Sequence, residues 1–87
     1  MKKIGNLFVV AFGGGTSLWM YRADESESPK AIVAKAFFDP AQDMLRPGDR
    51  IEVAFPPDDR TKPVRHANMQ LYVHASVRET GVVVKRL

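Results

Sequence analysis

The segment Met69-Gln-Leu-Tyr-Val-His-Ala-Ser-Val77 decides the fold class of this chain. Its residues alternate along the chain, and a period of two is the pattern of a strand with one face on a core. The segment Arg50-Ile-Glu-Val-Ala-Phe55 alternates in the same way. The two patterns predict two half-buried strands, and the residues expected to point inward are Ile51, Val53, Phe55, Met69, Leu71, Val73, Ala75 and Val77.

Three more strands are predicted around these two. Residues 6–12 are rich in Val, Phe and Leu and lead into three glycines, which predicts a strand followed by a hairpin turn. Thr16–Arg22 follows, and its two faces are both apolar or amphipathic, so we expect it to be covered on both sides. Residues 82–87 are predicted to pair back on 69–77 through a turn at 78–81.

Helical signals lie between the second and third predicted strands. Ser28-Pro29 combines an N-cap residue with proline at the first helical position and predicts a helix from Pro29 to about residue 36. Asp39 is predicted to cap a second turn of helix, with Gln42 completing a capping box. Gly48, in Pro-Gly, is predicted to take the positive φ of a type II turn.

These elements predict one domain, residues 1–87, of mainly β structure. The expected architecture is a small antiparallel β-barrel or sandwich of about five strands with one or two short helices. A chain of 87 residues has a marginal core of its own. Because it contains no cysteine, no disulfide can supplement that core, and we expect oligomerisation to do so.

The overall charge says little about partners. The net charge of +3 is too small to indicate nucleic acid by itself. No stretch reaches the ~18–20 apolar residues of a membrane helix, so no membrane partner is expected. Lys2-Lys3 precedes only a short, interrupted apolar run, and we therefore expect no signal peptide.

No pattern of catalytic or cofactor-binding residues is present. Gly13-Gly14-Gly15 lacks the lysine of a phosphate loop and precedes a strand rather than a helix. His66 and His74 form no metal-binding pair and no triad with a nucleophile. Asp58-Asp59 is a poor start for a calcium site that needs six or more oxygens. We expect no enzyme activity, no cofactor and no metal.

Three groups of residues are candidates for an interface. Large amphipathic side chains often anchor interfaces, although core positions are equally open to them. The loop at 60–66 is basic, and three readings remain open: a solvated loop, contact with an acidic loop of a neighbouring subunit, or nucleic-acid binding. The candidates are the aromatic residues Trp19, Tyr21 and Tyr72, the acidic residues Asp24, Glu25 and Glu27, and the basic residues Arg60, Lys62 and Arg65.

One block of the sequence resembles a known group of proteins. Gly15, Leu18-Trp19-x-Tyr21 and then Phe37-Phe38-Asp39-x-Ala41-x-Asp43-Met44-Leu45-Arg46-x-Gly48-Asp49-x-Ile51 are similar to small tailed-phage virion proteins. About two-thirds of the chain is covered, and the block from Phe37 to Ile51 is the distinctive part.

The resemblance implies a structural role on a virion and no catalytic residues. The protein is expected to be a capsid decoration (cement) protein that binds the major capsid protein on the outer surface of the head, made in the host bacterial cytoplasm. It also implies self-association, with a homotrimer favoured. Another virion component, such as a head fibre, head-tail connector or tail subunit, and a small nucleic-acid-binding β-barrel are the alternatives.

Overall fold

A five-stranded sheet forms the framework of the part of the chain that the computed structural model describes, residues 6–34, 36–57, 59–77 and 79–87. In chain order, β1 is followed by β2, helix α1, a 3₁₀ turn, β3, β4 and β5. Their bounds are Leu7–Gly13, Thr16–Arg22, Pro29–Ile32, Asp39–Ala41, Arg50–Ala54, Met69–Val77 and Gly81–Arg86. The predicted mainly-β class, with about five strands and short helices after the second, is confirmed.

The sheet is open and mixed, unlike the antiparallel barrel or sandwich that we expected. Its strands lie in the order β1-β2-β3-β4-β5, so β1 and β5 are the two edges. Neighbours are antiparallel except β2 and β3, which are parallel. The physical reason is the connection at residues 23–49, which crosses back over one face before β3 begins, as parallel pairing requires.

Glycines with positive φ shape two tight turns as predicted. Gly14 and Gly15, at φ +62° and +88°, connect β1 to β2 in the two-residue loop that suits the twist of a hairpin. Gly48 has φ +94°, and the N–H of Asp49 donates to the carbonyl of Arg46 at 3.0 Å. The predicted turn at 78–81 includes residue 78, which lies outside the described residues.

Helix α1 begins where the sequence predicts and ends early. The Ser28 hydroxyl accepts a hydrogen bond from the N–H of Ala31 at 3.2 Å, so the predicted cap is confirmed. The helix ends at Ile32 rather than near residue 36. The early end lets Phe37 and Phe38 turn towards the sheet, where both rings pack edge-to-face on Tyr21 with centroids 5.5 and 5.4 Å away.

The predicted cap by Asp39 is wrong. Asp39 is the first residue of the 3₁₀ turn, and Phe38 occupies the cap position without a side-chain hydrogen bond. The Asp39 carboxylate instead accepts from the N–H of Val82 at 2.8 Å, on β5. The Asp39 side chain thus supplies an acceptor for a backbone N–H at the edge of the sheet, and this bond ties the connection to β5.

The core lies between one face of the sheet, the inner face, and the connection at 23–49. Ile51, Val53 and Phe55 are fully buried, as their alternation predicts. The full set of buried apolar residues is Leu7, Tyr21, Ala23, Ile32, Phe37, Phe38, Ala41, Leu45, Ile51, Val53, Phe55, Met69, Leu71, Val73 and Val82.

A bulge in β4 corrects two predicted core residues. The register shifts between Val73 and Ala75, so the alternation reverses there. Ala75 is half-buried and Val77 is exposed, although both were expected to point inward. Beyond the bulge Ser76 reaches the connection instead, and its hydroxyl donates to the carbonyl of Gln42 at 3.1 Å.

Candidate interaction surface

The β1–β2 hairpin is apolar and projects from the core. No Asp, Glu, Lys, Arg or His occurs between Lys3 and Arg22. Leu7 is buried, but every other residue of β1 is exposed. Phe12, at the tip, is 81% exposed and Val10 is 56% exposed. Contiguous apolar surface of this kind is unusual on a protein that works alone.

The register assigns these side chains to two faces. Directly paired residues share a face, so Val9 and Phe12 lie on the inner face with their partners Trp19 and Ser17. Phe8, paired with Met20, lies on the opposite, outer face. The cover that we expected on both sides of β2 is therefore present on the inner face alone within the described residues.

The outer face has two chemically different halves. Its β1–β2 half carries Phe8, Leu18 and Met20, of which Phe8 and Leu18 are exposed. Its β3–β5 half carries polar and charged residues in register with one another: Arg50, Glu52, Gln70, Tyr72 and Lys85. The apolar half is the surface that water solvates least favourably.

The outer edge of β1 lacks charged residues and proline, two of the usual protections of an edge strand, and has a bulge as the third. Natural edges carry charged residues or proline, which discourage pairing with other chains. Residues 7–13 contain neither. A bulge between Val9 and Ala11 is the one irregularity in its register with β2. This edge can therefore accept another strand.

Trp19 links the hairpin to the rest of the molecule. Its ring is half-buried, and Nε1 donates to Asp49 Oδ2 at 3.0 Å. Asp49 is 2% exposed and also accepts from the N–H of Ser17 at 3.0 Å and of Arg46 at 3.2 Å. These bonds fix the angle at which the hairpin leaves the core.

Tyr21 and Glu27, two predicted interface residues, belong to the core of the protomer. Tyr21 is 2% exposed, and its hydroxyl donates to the Glu27 carboxylate at 2.9 Å. The same carboxylate accepts from the N–H of Asp24 at 2.8 Å. Burial, followed by the hydrogen bond to Glu27, raises the pKa of Tyr21 far above its usual range. No partner can contact these groups without opening the core.

Arg65 contacts the acidic loop of its own chain. Its guanidinium donates to the carbonyls of Asp24 at 2.8 Å and Glu25 at 2.7 Å, and more weakly to those of Ala23 and Glu27. For the basic loop at 60–66, which contains Arg65, the sequence left three alternatives: a solvated loop, contact with an acidic loop of a neighbouring subunit, or nucleic-acid binding. The structure uses Arg65 within the protomer, where it donates to backbone oxygens of this acidic loop.

The remaining candidates lie at the surface. Arg60 and Lys62 are exposed beside Asp59, whose pKa is lowered by hydrogen bonds from the N–H and hydroxyl of Thr61. Glu25 is exposed and Asp24 is half-buried, with Oδ1 accepting from Asn6 at 3.1 Å. Tyr72 is half-buried on the outer face.

The exposed apolar residues Phe8, Val10, Phe12 and Leu18 were not among the predicted site residues. The only sign of them in the sequence is the long uncharged stretch in which they lie. A buried strand would have the same composition. Only the folded structure distinguishes the two: the connection at 23–49 meets β2 where Asp49 binds the N–H of Ser17, yet it leaves Phe12 81% exposed.

Comparison with known proteins found no match to a family model, to a curated protein or to a solved structure. Among the described residues, no three His, Cys, Asp or Glu side chains are grouped so as to hold a metal ion. No helix in the same part of the chain has the length and hydropathy needed to span a bilayer.

Proposed function

We propose that this chain is a virion structural protein, a decoration (cement) protein that binds and stabilises the outer surface of a tailed-phage head. The observation that carries the proposal is the uncharged, exposed β1–β2 hairpin. The hairpin supports a function in protein–protein association. The block from Phe37 to Ile51, which resembles small virion proteins, supports a location on the virion.

The apolar half of the outer face is the surface that we assign to the shell. Phe8, Leu18 and Met20 form a patch on a rigid sheet, and aromatic and aliphatic anchors of this kind dominate interface energies. Over the core, the inner face is already covered by the protein's own connection. A capsid surface that covers the patch would add to the stability of a small domain, since binding to the folded state alone stabilises it.

Binding to shells tests the proposal. Shells assembled from the major capsid protein encoded in the same genome should carry the protein down on sedimentation, in a saturable ratio. Leu18→Asp places a charge in the patch and should weaken binding by roughly 30-fold, the effect of losing one strong anchor. Val64→Asp is the matched control, because Val64 is 60% exposed and far along the chain from the hairpin.

Saturable binding that Leu18→Asp weakens to about this extent and Val64→Asp leaves unchanged would support the proposal. Equal binding by all three proteins, or none by the wild type, would contradict it. If the protein instead occurs at one vertex or on the tail in a reconstruction of the particle, the head-fibre, connector or tail alternative replaces decoration.

A second candidate function rests on the other half of the outer face. Tyr72 lies there between Arg50 on β3 and Lys85 on β5, and its ring centroid is 6.4 Å from that of His74. An aromatic ring flanked by cations is the arrangement on which single-stranded nucleic acid stacks. Binding that weakens steeply with salt and is lost in Tyr72→Ala would favour this function.

A further inference from the structure

The two edges of the sheet, β1 and β5, differ in shape in the part of the chain that the structure describes. At the β1 edge, Phe12 projects from the inner face of the hairpin tip and is 81% exposed. At the β5 edge, a groove of about 420 Å³ lies between the strand and the end of α1. The residues that line the groove are Val33, Ala34, Glu79, Thr80, Val82, Val83 and Val84.

We infer that a second copy of this chain fills the groove: β1 of one copy adds to β5 of the next, and Phe12 enters the groove. The inference names a partner for the assembly surface proposed above and rests on that proposal. It uses the edges and the hairpin tip, whereas the shell is assigned the outer face.

The faces of the sheet agree with this contact. β1 and β5 run in opposite directions in the sheet, so when β1 of one copy pairs antiparallel with β5 of the next, the inner faces of the two sheets become continuous. Phe12 lies on the inner face, and Val33 and Ala34 belong to the connection that covers that same face. The projecting ring and the groove therefore meet without either sheet turning over.

The backbone of β5 is partly available for pairing. The N–H of Leu87 donates to the carbonyl of Gln70 on β4 at 3.0 Å, so by alternation the N–H groups of Val84 and Arg86 point away from β4. The N–H of Val82 points the same way and is already bound by Asp39. A strand added at this edge would pair from Val84 onward.

Charge and area favour a second copy as the occupant. The groove has an apolar floor with Glu79 and Thr80 at its rim, and β1 brings no charge that would have to be desolvated. Val9, Val10 and Phe12, the exposed apolar residues of β1 outside the shell patch, supply on the order of 300 Å² per copy, less than half of what one partner of a standard interface buries. Strand pairing and the groove walls supply the remainder.

A contact between two different surfaces generates a ring or a filament. The resemblance to small virion proteins implies a homotrimer, so we expect a ring of three copies. Each copy then has one donor edge and one acceptor edge, so damage to either edge stops assembly. This property separates the contact from a two-fold β1–β1 contact, in which damage at β5 would have no effect.

Sedimentation velocity of the full chain tests the inference with three variants. Phe12→Asp damages the donor edge, Ala34→Glu damages the acceptor groove, and Ala31→Glu is the control, since Ala31 is exposed on α1 and does not line the groove. Phe12 and Ala34 are both exposed, so neither change removes core packing. Circular dichroism and Trp19 fluorescence check that each variant is folded.

The wild type and Ala31→Glu should form a closed trimer, and each damaged variant should be a monomer. An equimolar mixture of Phe12→Asp and Ala34→Glu should form a one-to-one dimer, because one intact contact remains between them. A wild type that stays monomeric, damaged variants that assemble normally, or assembly insensitive to Ala34→Glu alone would each overturn the inference.

Two further results distinguish this inference from the proposed function. A monomer that still binds shells would contradict the copy-to-copy contact and leave the decoration role standing. A trimer that does not bind shells would support the copy-to-copy contact and contradict the decoration role. Flotation with neutral and anionic phospholipid vesicles tests whether the hairpin binds lipid instead. A monomeric protein that floats with vesicles through its hairpin would also overturn the contact.

Discussion

At the scale of single residues, Asp49 joins three separate segments. It is buried, and its carboxylate accepts from the N–H of Ser17, the Nε1 of Trp19 and the N–H of Arg46. Its own backbone pairs as well, since the carbonyl accepts from the N–H of Val73 at 2.8 Å. A single carboxylate thus sets the hairpin against the turn before β3.

Asp49→Ala is expected to lower the free energy of unfolding by about 3 kcal/mol, because it leaves three donors without an acceptor in a place that water reaches poorly. Urea denaturation followed by Trp19 fluorescence measures the change. Asp43→Ala, a carboxylate exposed on the neighbouring turn, is the control and should change stability by less than about 0.5 kcal/mol. Equal effects of the two substitutions would contradict the assigned role of Asp49.

Tyr21 should make stability depend on alkaline pH. Its pKa is raised in the folded state, so its contribution is complete below the unfolded value near 10 and falls as pH rises above that value. Unfolding measured from pH 8 to pH 12 should show this decline, and Tyr21→Phe should flatten it. Ultraviolet absorbance of the folded protein that showed Tyr21 ionised near pH 10 would contradict the prediction.

At the scale of elements, the β4–β5 hairpin is held to the 3₁₀ turn at one crowded point. Gly81 has φ +71°, and a Cβ there would overlap the Asp39 carboxylate that binds the N–H of Val82. Gly14 has a similar φ of +62° with no atom near the position of its missing Cβ. Alanine substitutions at the two glycines therefore distinguish the free-energy cost of backbone strain from that of a steric overlap.

Gly81→Ala is expected to destabilise the protein by about 1–2 kcal/mol more than Gly14→Ala. Both substitutions place a Cβ on a left-handed backbone, but only Gly81→Ala also displaces a hydrogen-bonded carboxylate. Thermal and urea unfolding of the two variants measure the difference. In Asp39→Ala, which has no carboxylate to displace, the added cost of Gly81→Ala should fall to that of Gly14→Ala. Equal costs of the two alanines in the wild-type background would refute this account.

Arg65 connects two loops, residues 23–28 and 56–66. Its guanidinium lies 5.7 Å from the centre of the Phe55 ring and donates to four carbonyls of the first loop. Arg65→Lys keeps the charge and loses the planar fork, so we expect a loss of about 1–2 kcal/mol. Hydrogen exchange of residues 23–27 should accelerate, while Lys62→Arg, at an exposed position, should leave it unchanged. Unchanged exchange in Arg65→Lys would show that the fork does not order the loop.

The elements differ in how far the sequence predicts them. Strict alternation fixed β3, and the Ser28-Pro29 and Pro47-Gly48 signals placed a helix start and a turn, because each acts through neighbouring residues. The bulge at His74 and the partner of Asp39 were missed, since both depend on segments distant in the sequence. The parallel pairing of β2 and β3 was missed for the same reason.

The candidate interface shows the same limit. Aromatic and charged residues suggested it, but Tyr21, Glu27 and Arg65 turned out to bind within the protomer. Every residue has a backbone carbonyl, so the sequence does not show which carbonyls accept hydrogen bonds from an arginine side chain. The exposed hairpin residues, by contrast, have the composition of a core strand, and only their exposure in the folded chain identifies them.

At the scale of the whole molecule, the sheet formed by the described residues is covered on one face and open at both edges. The covered face gives a folded protomer, while the β1–β2 hairpin exposes apolar side chains and a strand edge that lacks charged residues and proline. These features fit a protein that is completed by other chains. The central claim is that β1 becomes buried in the assembled state.

Hydrogen exchange of the amides of β1 tests that claim most directly. Mass spectrometry would compare residues 7–13 with residues 50–54 of the internal strand β3, across a dilution series and on capsid shells. The account predicts that β1 is protected in the assembly, loses that protection on dilution to the monomer, and that β3 stays protected throughout. Rapid exchange of β1 at every concentration and on shells would contradict the account.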